Sequence, residues 1–269
     1  MNRLIRNLLL VGFLLLMGVT KFYDQSSAYA KVWSQALTAP TFGSGLAICE
    51  ALIAPVVLQN PTVVSDCTPS GLQAALTGGG EIAFACGTEP VTIALTTPLR
   101  VTAKRTVIDG GGLVTLDGQD QTKILENPFI DGGNTLVIQN LRFIRGRAPA
   151  SGGLASESGA AITSGSPGTR LHILNSTFVD NQTSAMGNED NQGGAIFSNN
   201  SYETVVVGSH FANNQAGNGG AIGGLATGMI IVNSRFVNNR AVDTTAGGIV
   251  RGYGGALHLD GVTNGFNPA

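Results

Sequence analysis

The sequence predicts an all-β solenoid, because the chain repeats two short phrases. The first phrase ends in phenylalanine and occurs as Asn140-Leu141-Arg142-Phe143, Asn175-Ser176-Thr177-Phe178, Gly208-Ser209-His210-Phe211 and Asn233-Ser234-Arg235-Phe236. The second phrase begins with small residues and occurs as Gly159-Ala160-Ala161-Ile162, Gly193-Gly194-Ala195-Ile196, Gly219-Gly220-Ala221-Ile222 and Gly254-Gly255-Ala256-Leu257. Such self-similarity is typical of repeat architectures, whose function usually resides on the surface.

Composition excludes several other classes of protein. The chain has 269 residues, of which 43% are hydrophobic and 12% charged, so it is too apolar for a disordered chain. Its 38 glycines lack a strict three-residue period, which excludes collagen. The net charge of −2 gives no reason to expect a nucleic-acid partner.

Residues 1–30 have the pattern of a secretory signal peptide. Arg3 and Arg6 precede an apolar run from Leu8 to Val19, and Ala28-Tyr29-Ala30 supplies a small-x-small cleavage site. The run is short for a transmembrane helix, although an uncleaved anchor remains the alternative. Residues 31–66 contain scattered proline and apolar residues, which predicts an irregular lead segment.

The chain contains three cysteines, Cys49, Cys67 and Cys86. Export permits disulfide formation, and Cys67 and Cys86 flank a compact unit, so we expect these two to pair and Cys49 to be left over. Three scattered cysteines and three scattered histidines show no metal-ligand spacing, so we predict neither a metal site nor a cofactor.

A short helix is predicted directly after Cys67. Thr68-Pro69 reads as an N-cap followed by proline at the first helical position, and Gly78-Gly79-Gly80 ends the helix. The predicted helix, Ser70 to Leu76, places three apolar residues on one face: Leu72, Ala75 and Leu76. A solenoid needs its first coil covered, so we expect this helix to act as the cap.

From residue 81 the pattern changes to short strands bounded by glycine, and no useful helical period follows. The predicted strands are Ile82–Ala85, Val91–Leu95, Thr106–Ile108 and Val114–Leu116.

Aligning the repeats on their four phenylalanines shows which positions should point inward and which should form turns. Five positions earlier stand apolar residues, Ile138, Ile173, Val206 and Ile231. Three positions earlier stand Asn140, Asn175, Gly208 and Asn233. Alternate apolar positions predict stacked interior ladders, and the asparagine column predicts a turn in left-handed conformation with hydrogen bonds along the column. The Gly-Gly pairs predict tight corners where a side chain would collide.

The repeats differ in length because residues are inserted at one place in each. The insertions are Ala148–Ser158, Thr183–Asn191 and Val242–Tyr253. Insertion at one corner of a solenoid puts the loops on one side, which we expect to be the binding side.

The paired phrases resemble the repeats of polymorphic outer-membrane proteins. Phe178-Val179-Asp180-Asn181, Phe211-Ala212-Asn213-Asn214 and Phe236-Val237-Asn238-Asn239 fit the Phe-x-x-Asn signature, whereas Phe143-Ile144-Arg145-Gly146 departs from it. The stretch from Cys67 to Cys86, followed by Val107-Ile108-Asp109-Gly110-Gly111-Gly112 and Leu116-Asp117-Gly118, is similar to exported bacterial proteins of the pectate-lyase-like superfamily.

The resemblance covers residues 67 to about 260. It implies a single-stranded right-handed parallel β-helix over residues 67–269 with a short N-terminal capping helix, in a bacterial protein that is secreted or lies at the outer membrane or cell surface. Polymorphic membrane proteins carry a longer passenger and a C-terminal barrel. We therefore expect this β-helix to be truncated, with membrane association only through a missing C-terminal anchor or an uncleaved signal.

The acidic residues do not predict a catalytic site. Asp109 and Asp117 each precede glycine, and Asp180 stands where other repeats have asparagine, so all three are interpreted as turn residues. Glu189-Asp190 lies in an insertion, where a solvated loop tip is favoured over a cation site. We predict no catalytic residue.

Basic residues form two columns that should point outward, because neighbours of inward residues face away from the core. The position before each phenylalanine holds Arg142, Thr177, His210 and Arg235, and the fourth position after it holds Arg147, Gln182, Gln215 and Arg240. The basic members form a candidate surface for an acidic glycan; the alternative is ordinary solvated surface. The predicted function is a non-catalytic, adhesin-like or structural surface protein that binds a surface glycan or a receptor on a host or neighbouring cell. The alternative is a carbohydrate-active lyase or hydrolase acting on an acidic polysaccharide.

Overall fold

The computed structural model describes residues 53–184, 191–242 and 252–261. Within these residues the chain is all-β apart from two short helices, and its strands pair only in parallel to form four sheets. The predicted signal peptide and the first part of the lead segment, residues 31–52, lie outside the described residues. The arrangement confirms the all-β prediction and is compatible with a parallel β-helix.

Each sheet takes its strands from successive repeats, and strands are numbered in chain order. Sheet 1 contains β1 (Thr62–Val64), β2 (Gly80–Phe84), β5 (Arg105–Asp109), β8 (Thr135–Gln139), β12 (Arg170–Leu174), β16 (Glu203–Val207) and β20 (Met229–Val232). Sheet 2 contains β3 (Val91–Ala94), β6 (Val114–Asp117), β9 (Arg142–Ile144), β13 (Thr177–Val179), β17 (His210–Ala212) and β21 (Arg235–Val237).

The remaining two sheets are also parallel, and sheet 3 begins later in the chain than the other three. Sheet 3 contains β10 (Arg147–Ala148), β14 (Gln182–Thr183), β18 (Gln215–Ala216) and β22 (Arg240–Ala241). Sheet 4 contains β4 (Leu99–Arg100), β7 (Leu125–Asn127), β11 (Ile162–Ser164), β15 (Ile196–Asn199), β19 (Ile222–Leu225) and β23 (Leu257–Asp260). The four strands predicted between residues 82 and 116 therefore correspond to β2, β3, β5 and β6.

The phenylalanines form the interior ladder that the alignment predicted. Phe143, Phe178, Phe211 and Phe236 are register partners on consecutive strands of sheet 2. Their ring centroids lie 4.9, 4.7 and 4.8 Å apart, with ring planes within 6° of parallel. The first three rings are fully buried, which stabilises each repeat by roughly 1.5–3 kcal/mol per side chain.

The asparagine column has the predicted left-handed backbone. Asn140, Asn175 and Asn233 have φ of 52°, 48° and 51°, and Gly208 takes the same place with φ of 60°. Asparagine tolerates this region because its side chain hydrogen-bonds locally, and glycine tolerates it because it lacks a Cβ atom. This column forms the corner between sheets 1 and 2.

A second asparagine column carries hydrogen bonds from one repeat to the next. Asn214 Oδ1 accepts both the backbone N–H and the Nδ2–H of Asn181 at 3.0 Å. Asn239 Oδ1 accepts the same pair from Asn214 at 3.0 and 2.9 Å. Asn181 and Asn214 are fully buried. A buried amide is stable only when its donors and acceptors have partners, and this ladder supplies them between repeats.

Glycine occupies the tight corner before sheet 4. Gly193 has φ of 66°, and a Cβ atom on Gly194 would come within 2.6 Å of the Gln215 carbonyl oxygen. The backbones of consecutive repeats approach so closely here that a side chain would collide, as the Gly-Gly phrase predicted.

The N-terminal helix α1 runs from Pro69 to Gly78, two residues beyond the predicted end. Its first turn is capped by the Thr68 hydroxyl, which accepts the Gly71 N–H at 3.2 Å. The apolar face is buried as predicted, at Leu72, Ala75 and Leu76. The predicted disulfide between Cys67 and Cys86 is present, with Cα atoms 5.8 Å apart.

The lead segment contains structure that the sequence analysis did not predict. β1 pairs with β2 at the edge of sheet 1, and Ile53, Val56 and Leu58 pack against an apolar cluster formed by Val107, Val137, Leu174, Val205 and Val207. Gln139 fixes this segment, because its side chain accepts the Val56 N–H at 2.8 Å and donates to the Val56 carbonyl at 2.9 Å. This apolar cluster lies on the outward face of sheet 1, and residues 53–58 cover part of it.

A charge in the phenylalanine ladder should disrupt several repeats together. Phe211→Asp removes a ring stacked on both sides and buries a carboxylate, so we expect the free energy of unfolding to fall by more than about 4 kcal/mol. Ala212→Asp is the matched control, because Ala212 is the outward neighbour on the same strand and only half-buried. Chemical denaturation monitored by circular dichroism measures both. Equal stability of Phe211→Asp and wild type would contradict the inward assignment.

Candidate functional site

The residues of the first predicted basic column lie side by side on neighbouring strands of sheet 2. Arg142, Thr177, His210 and Arg235 are consecutive partners on β9, β13, β17 and β21. Arg142 and Arg235 are exposed, whereas Thr177 and His210 are half-buried. Two guanidinium groups therefore stand at the ends of the column with less accessible side chains between them.

The second basic column is a register of sheet 3. Arg147, Gln182, Gln215 and Arg240 are consecutive partners. Arg147 is half-buried and its Nε donates to the Ser184 hydroxyl at 2.5 Å, whereas Arg240 is exposed. Of the basic residues singled out in the sequence, Arg142, Arg235 and Arg240 are thus the most available to a ligand.

His210 is the half-buried imidazole of the first column. Its Nε2 is buried and has no hydrogen-bond partner among the described residues. His210 is therefore less accessible to a ligand than Arg142 and Arg235, which are exposed at the ends of the same column.

Two of the acidic residues are committed to turns. Asp109 accepts the Gly111 N–H at 2.9 Å and the Asn140 Nδ2–H at 2.9 Å. Asp117 accepts the Gln119 N–H at 2.8 Å and forms an ion pair with Arg145, which raises the pKa of that guanidinium.

Asp180 also has the predicted turn role. Its φ of 56° matches the 56° of Asn213 and the 53° of Asn238, the residues that take the same place in the next two repeats. Aspartate and asparagine are favoured at such left-handed positions, which explains this carboxylate without a catalytic role.

Lys123 holds the first insertion loop, Ala148–Ser158, through hydrogen bonds to its backbone. This loop contains the second helix, α2 (Leu154–Glu157), and Lys123 Nζ donates to the carbonyls of Ala155 at 2.8 Å and Ser156 at 3.2 Å. Lys123 is only 3% exposed, and burial lowers its pKa to about 8, although the nearby Glu126 carboxylate opposes the shift. The insertions expected at 183–191 and 242–253 lie mostly outside the described residues, as does Glu189-Asp190.

A groove that was not predicted from the sequence lies between sheets 4 and 1. It has a volume of about 880 Å³ and is lined by turns from successive repeats, at 167–168, 199–202, 225–228 and 259–261. Tyr202 lines it and is 55% exposed. The Arg170 guanidinium lies 4.6 Å from the centre of the Tyr202 ring. An exposed aromatic residue in the Asn199–Tyr202 turn was the available signal, but the depth of the groove depends on neighbouring repeats.

Comparison with known proteins gives no relative from which a function could be carried over. No family model, curated protein or solved structure matches the chain. Among residues 53–184, 191–242 and 252–261, no three His, Cys, Asp or Glu side chains gather as a metal-binding group. In the same residues, no helix has the length and hydrophobicity needed to cross a bilayer.

The buried amine of Lys123 should make stability depend on pH in the alkaline range. Its pKa is about 8 in the folded chain against the ordinary value of 10.5, so between these values the unfolded chain holds more protons. Stability rises with pH wherever the unfolded state binds more protons. The free energy of unfolding of wild type relative to Lys123→Met should therefore increase by roughly 3 kcal/mol across this window.

Urea denaturation of both proteins at the two ends of the window measures this difference. The effect is carried by the lysine alone, because every other titrating group is common to wild type and Lys123→Met. A difference that stays constant with pH would show that the amine is solvated.

Proposed function

We propose that this protein is a right-handed parallel β-helix exported by a bacterium and displayed at the cell surface or secreted, where it binds without catalysis. The proposal follows the resemblance to polymorphic outer-membrane protein repeats and pectate-lyase-like proteins. It is supported by four parallel sheets that take their strands from successive repeats within the described residues. The helix α1, which lies beside β1 and β4, would act as the cap of the first coil.

The observation that carries the proposal is the repetition of outward side chains in fixed register. Interior ladders hold consecutive strands in place, so Arg142 and Arg235 stand three strand spacings apart, about 14 Å. Because the interior fixes the separation of these two backbone positions, the spacing of the arginines is set before a ligand arrives. Only the side chains then have to become ordered on binding, which limits the entropy lost.

The proposed ligand of the basic columns is an acidic glycan on a cell surface. Arginine forms bidentate, charge-assisted hydrogen bonds with carboxylate and sulfate groups, and exposed Arg142, Arg235 and Arg240 can make them. Arg147 and His210 flank these residues in the same registers and would contribute less, since both are partly buried. The function would be adhesion or display rather than turnover.

The geometry does not favour the alternative, a lyase or hydrolase acting on an acidic polysaccharide. Hydrolysis of a glycosidic bond needs two carboxyl groups that face the substrate. Asp109 and Asp117 instead accept hydrogen bonds from their own turns and from neighbouring side chains. Among the described residues, no contact of Asp109 or Asp117 indicates a role as general acid or general base.

Charge reversal on the first column should abolish most binding of acidic polysaccharides. We expect Arg142→Glu combined with Arg235→Glu to weaken binding to immobilised polygalacturonate, alginate or chondroitin sulfate by tenfold or more, since about 1.4 kcal/mol corresponds to a factor of ten. The double variant Arg100→Glu, Arg105→Glu is the control for total charge, because both arginines are exposed and lie outside the columns, where they pair with Glu126 and Glu81. Surface plasmon resonance measures the affinities.

Two results would contradict the proposal. One is equal affinity of the double variant and wild type, which would leave the columns as ordinary solvated surface. The other is turnover of any of the three polysaccharides by purified protein, with or without calcium, which would favour the enzymatic alternative.

A further inference from the structure

We propose that the groove between sheets 4 and 1 is a second binding site, and that it takes a neutral saccharide chain stacked on Tyr202. The proposal goes beyond the acidic-glycan function of the basic columns and does not depend on it. The groove is formed by turns that lead from sheet 4 to sheet 1, whereas the columns lie on sheets 2 and 3.

The groove exists because the turns around Tyr202 carry small residues. Pro167-Gly168 lies on one side and Ala226-Thr227-Gly228 on the other. A Cβ atom on Gly228 would come within 3.0 Å of the Tyr202 carbonyl oxygen. Glycine at 228 therefore lets its turn lie close to the backbone of the Tyr202 turn. The volume of about 880 Å³ lies within the range of small-molecule sites, which is about 300–1,000 Å³.

Tyr202 is held in place although it is exposed. The guanidinium of Arg170 lies 4.6 Å from the ring centre, in the geometry of a cation–π contact. Arg170 Nε lies 3.4 Å from Glu203 Oε1, and that oxygen also lies 2.9 Å from His172 Nε2. This chain of contacts limits the freedom of the ring, so that a ligand stacking on it loses less entropy.

The groove also offers polar groups that are not used by the fold. Asn199, Asn200 and Asp260 line it, and their side chains have no hydrogen-bond partner among the described residues. Amides donate and accept, and a carboxylate accepts from hydroxyl groups, which matches the adjacent hydroxyls of a sugar ring. An aromatic ring meets the apolar C–H face of the same sugar. The negative charge of Asp260 disfavours an acidic glycan, so the neutral class fits best.

A strained residue at the edge of the groove supports a role beyond folding. Ala226 has φ of 49°, a region that alanine rarely adopts. In the preceding repeat the matching residue is Asn200, with φ of 54°, because Asn199 and Leu225 are register partners. Asparagine is the favoured residue in this conformation, but residue 226 lines the groove, where alanine occupies less volume than asparagine would. Strain that persists at a ligand-sized opening is a feature of binding sites.

Isothermal titration calorimetry on the purified full chain tests the site. The probes are the neutral hexasaccharides of cellulose, starch, xylan and chitin, with oligogalacturonate as the acidic comparison. We expect at least one neutral hexasaccharide to bind. Tyr202→Ala should weaken its binding about tenfold, and Tyr202→Phe, which keeps the ring, should bind within about threefold of wild type.

Ala226→Asn separates binding from folding. This variant relieves the backbone strain and fills part of the groove, so its melting temperature should be equal or higher while its saccharide affinity falls. The Arg142→Glu, Arg235→Glu double variant should bind the neutral hexasaccharide as wild type does, which keeps this site distinguishable from the basic columns.

Three outcomes would overturn the inference. The first is that none of the neutral hexasaccharides binds at millimolar concentration. The second is that Tyr202→Ala binds as tightly as wild type. The third is that oligogalacturonate, or an unrelated polar peptide of similar length, occupies the groove in competition with the saccharide.

Discussion

The fold depends on one constraint, which is that parallel strands of successive repeats must stack in register. When the register holds, like side chains meet like side chains, as the four phenylalanine rings do at spacings of 4.7 to 4.9 Å. The same register lets Asn181, Asn214 and Asn239 satisfy one another. A shift of one residue in the strand register would turn every phenylalanine of the ladder outward and leave buried amides without hydrogen-bond partners. Apolar packing and buried hydrogen bonds therefore favour the same register.

This constraint also determines where the chain is free to vary. The residue types at interior positions and corner asparagines are restricted by contacts to two neighbouring repeats. The outward columns and inserted loops mainly contact solvent and are less restricted. The basic residues and Tyr202 lie in the second group. The first insertion shows that such a loop can still be tied down, because Lys123 donates to two of its carbonyls. Binding functions can therefore be added to the surface without disturbing the ladders.

Most of the interior could be predicted from the sequence because it follows from local patterns. The phenylalanine and isoleucine columns, the left-handed asparagines, helix α1 and the Cys67–Cys86 disulfide are each visible within one or two repeats. The hydrogen-bonded column of Asn181, Asn214 and Asn239 was not predicted. The sequence instead suggested that the column containing Asn140 and Asn175 would carry the hydrogen bonds between repeats. The Phe-x-x-Asn phrase contained the better candidate, but only the register shows that its last residue points inward.

The features that escaped prediction depend on residues far apart in the chain. Residues 53–58 cover an apolar outer face, and the clue was the unbroken run Thr204–Val207, which indicates a strand buried on both sides. The groove at Tyr202 is lined by four separate turns, so no single segment indicates it. Likewise, the depressed pKa of Lys123 results from burial beneath a loop that follows it by about thirty residues.

A pair of engineered cysteines can establish whether the strands of sheet 2 stack in the register described. Val179 and Ala212 are outward register partners on β13 and β17. Val179→Cys with Ala212→Cys should form a disulfide rapidly under mild oxidation. Val179→Cys with His210→Cys should not, because a diagonal pair on parallel strands exceeds the roughly 7 Å limit between Cα atoms. Mass spectrometry of proteolytic fragments identifies the linked residues. Preferential linkage of the diagonal pair would contradict the stacking of these repeats.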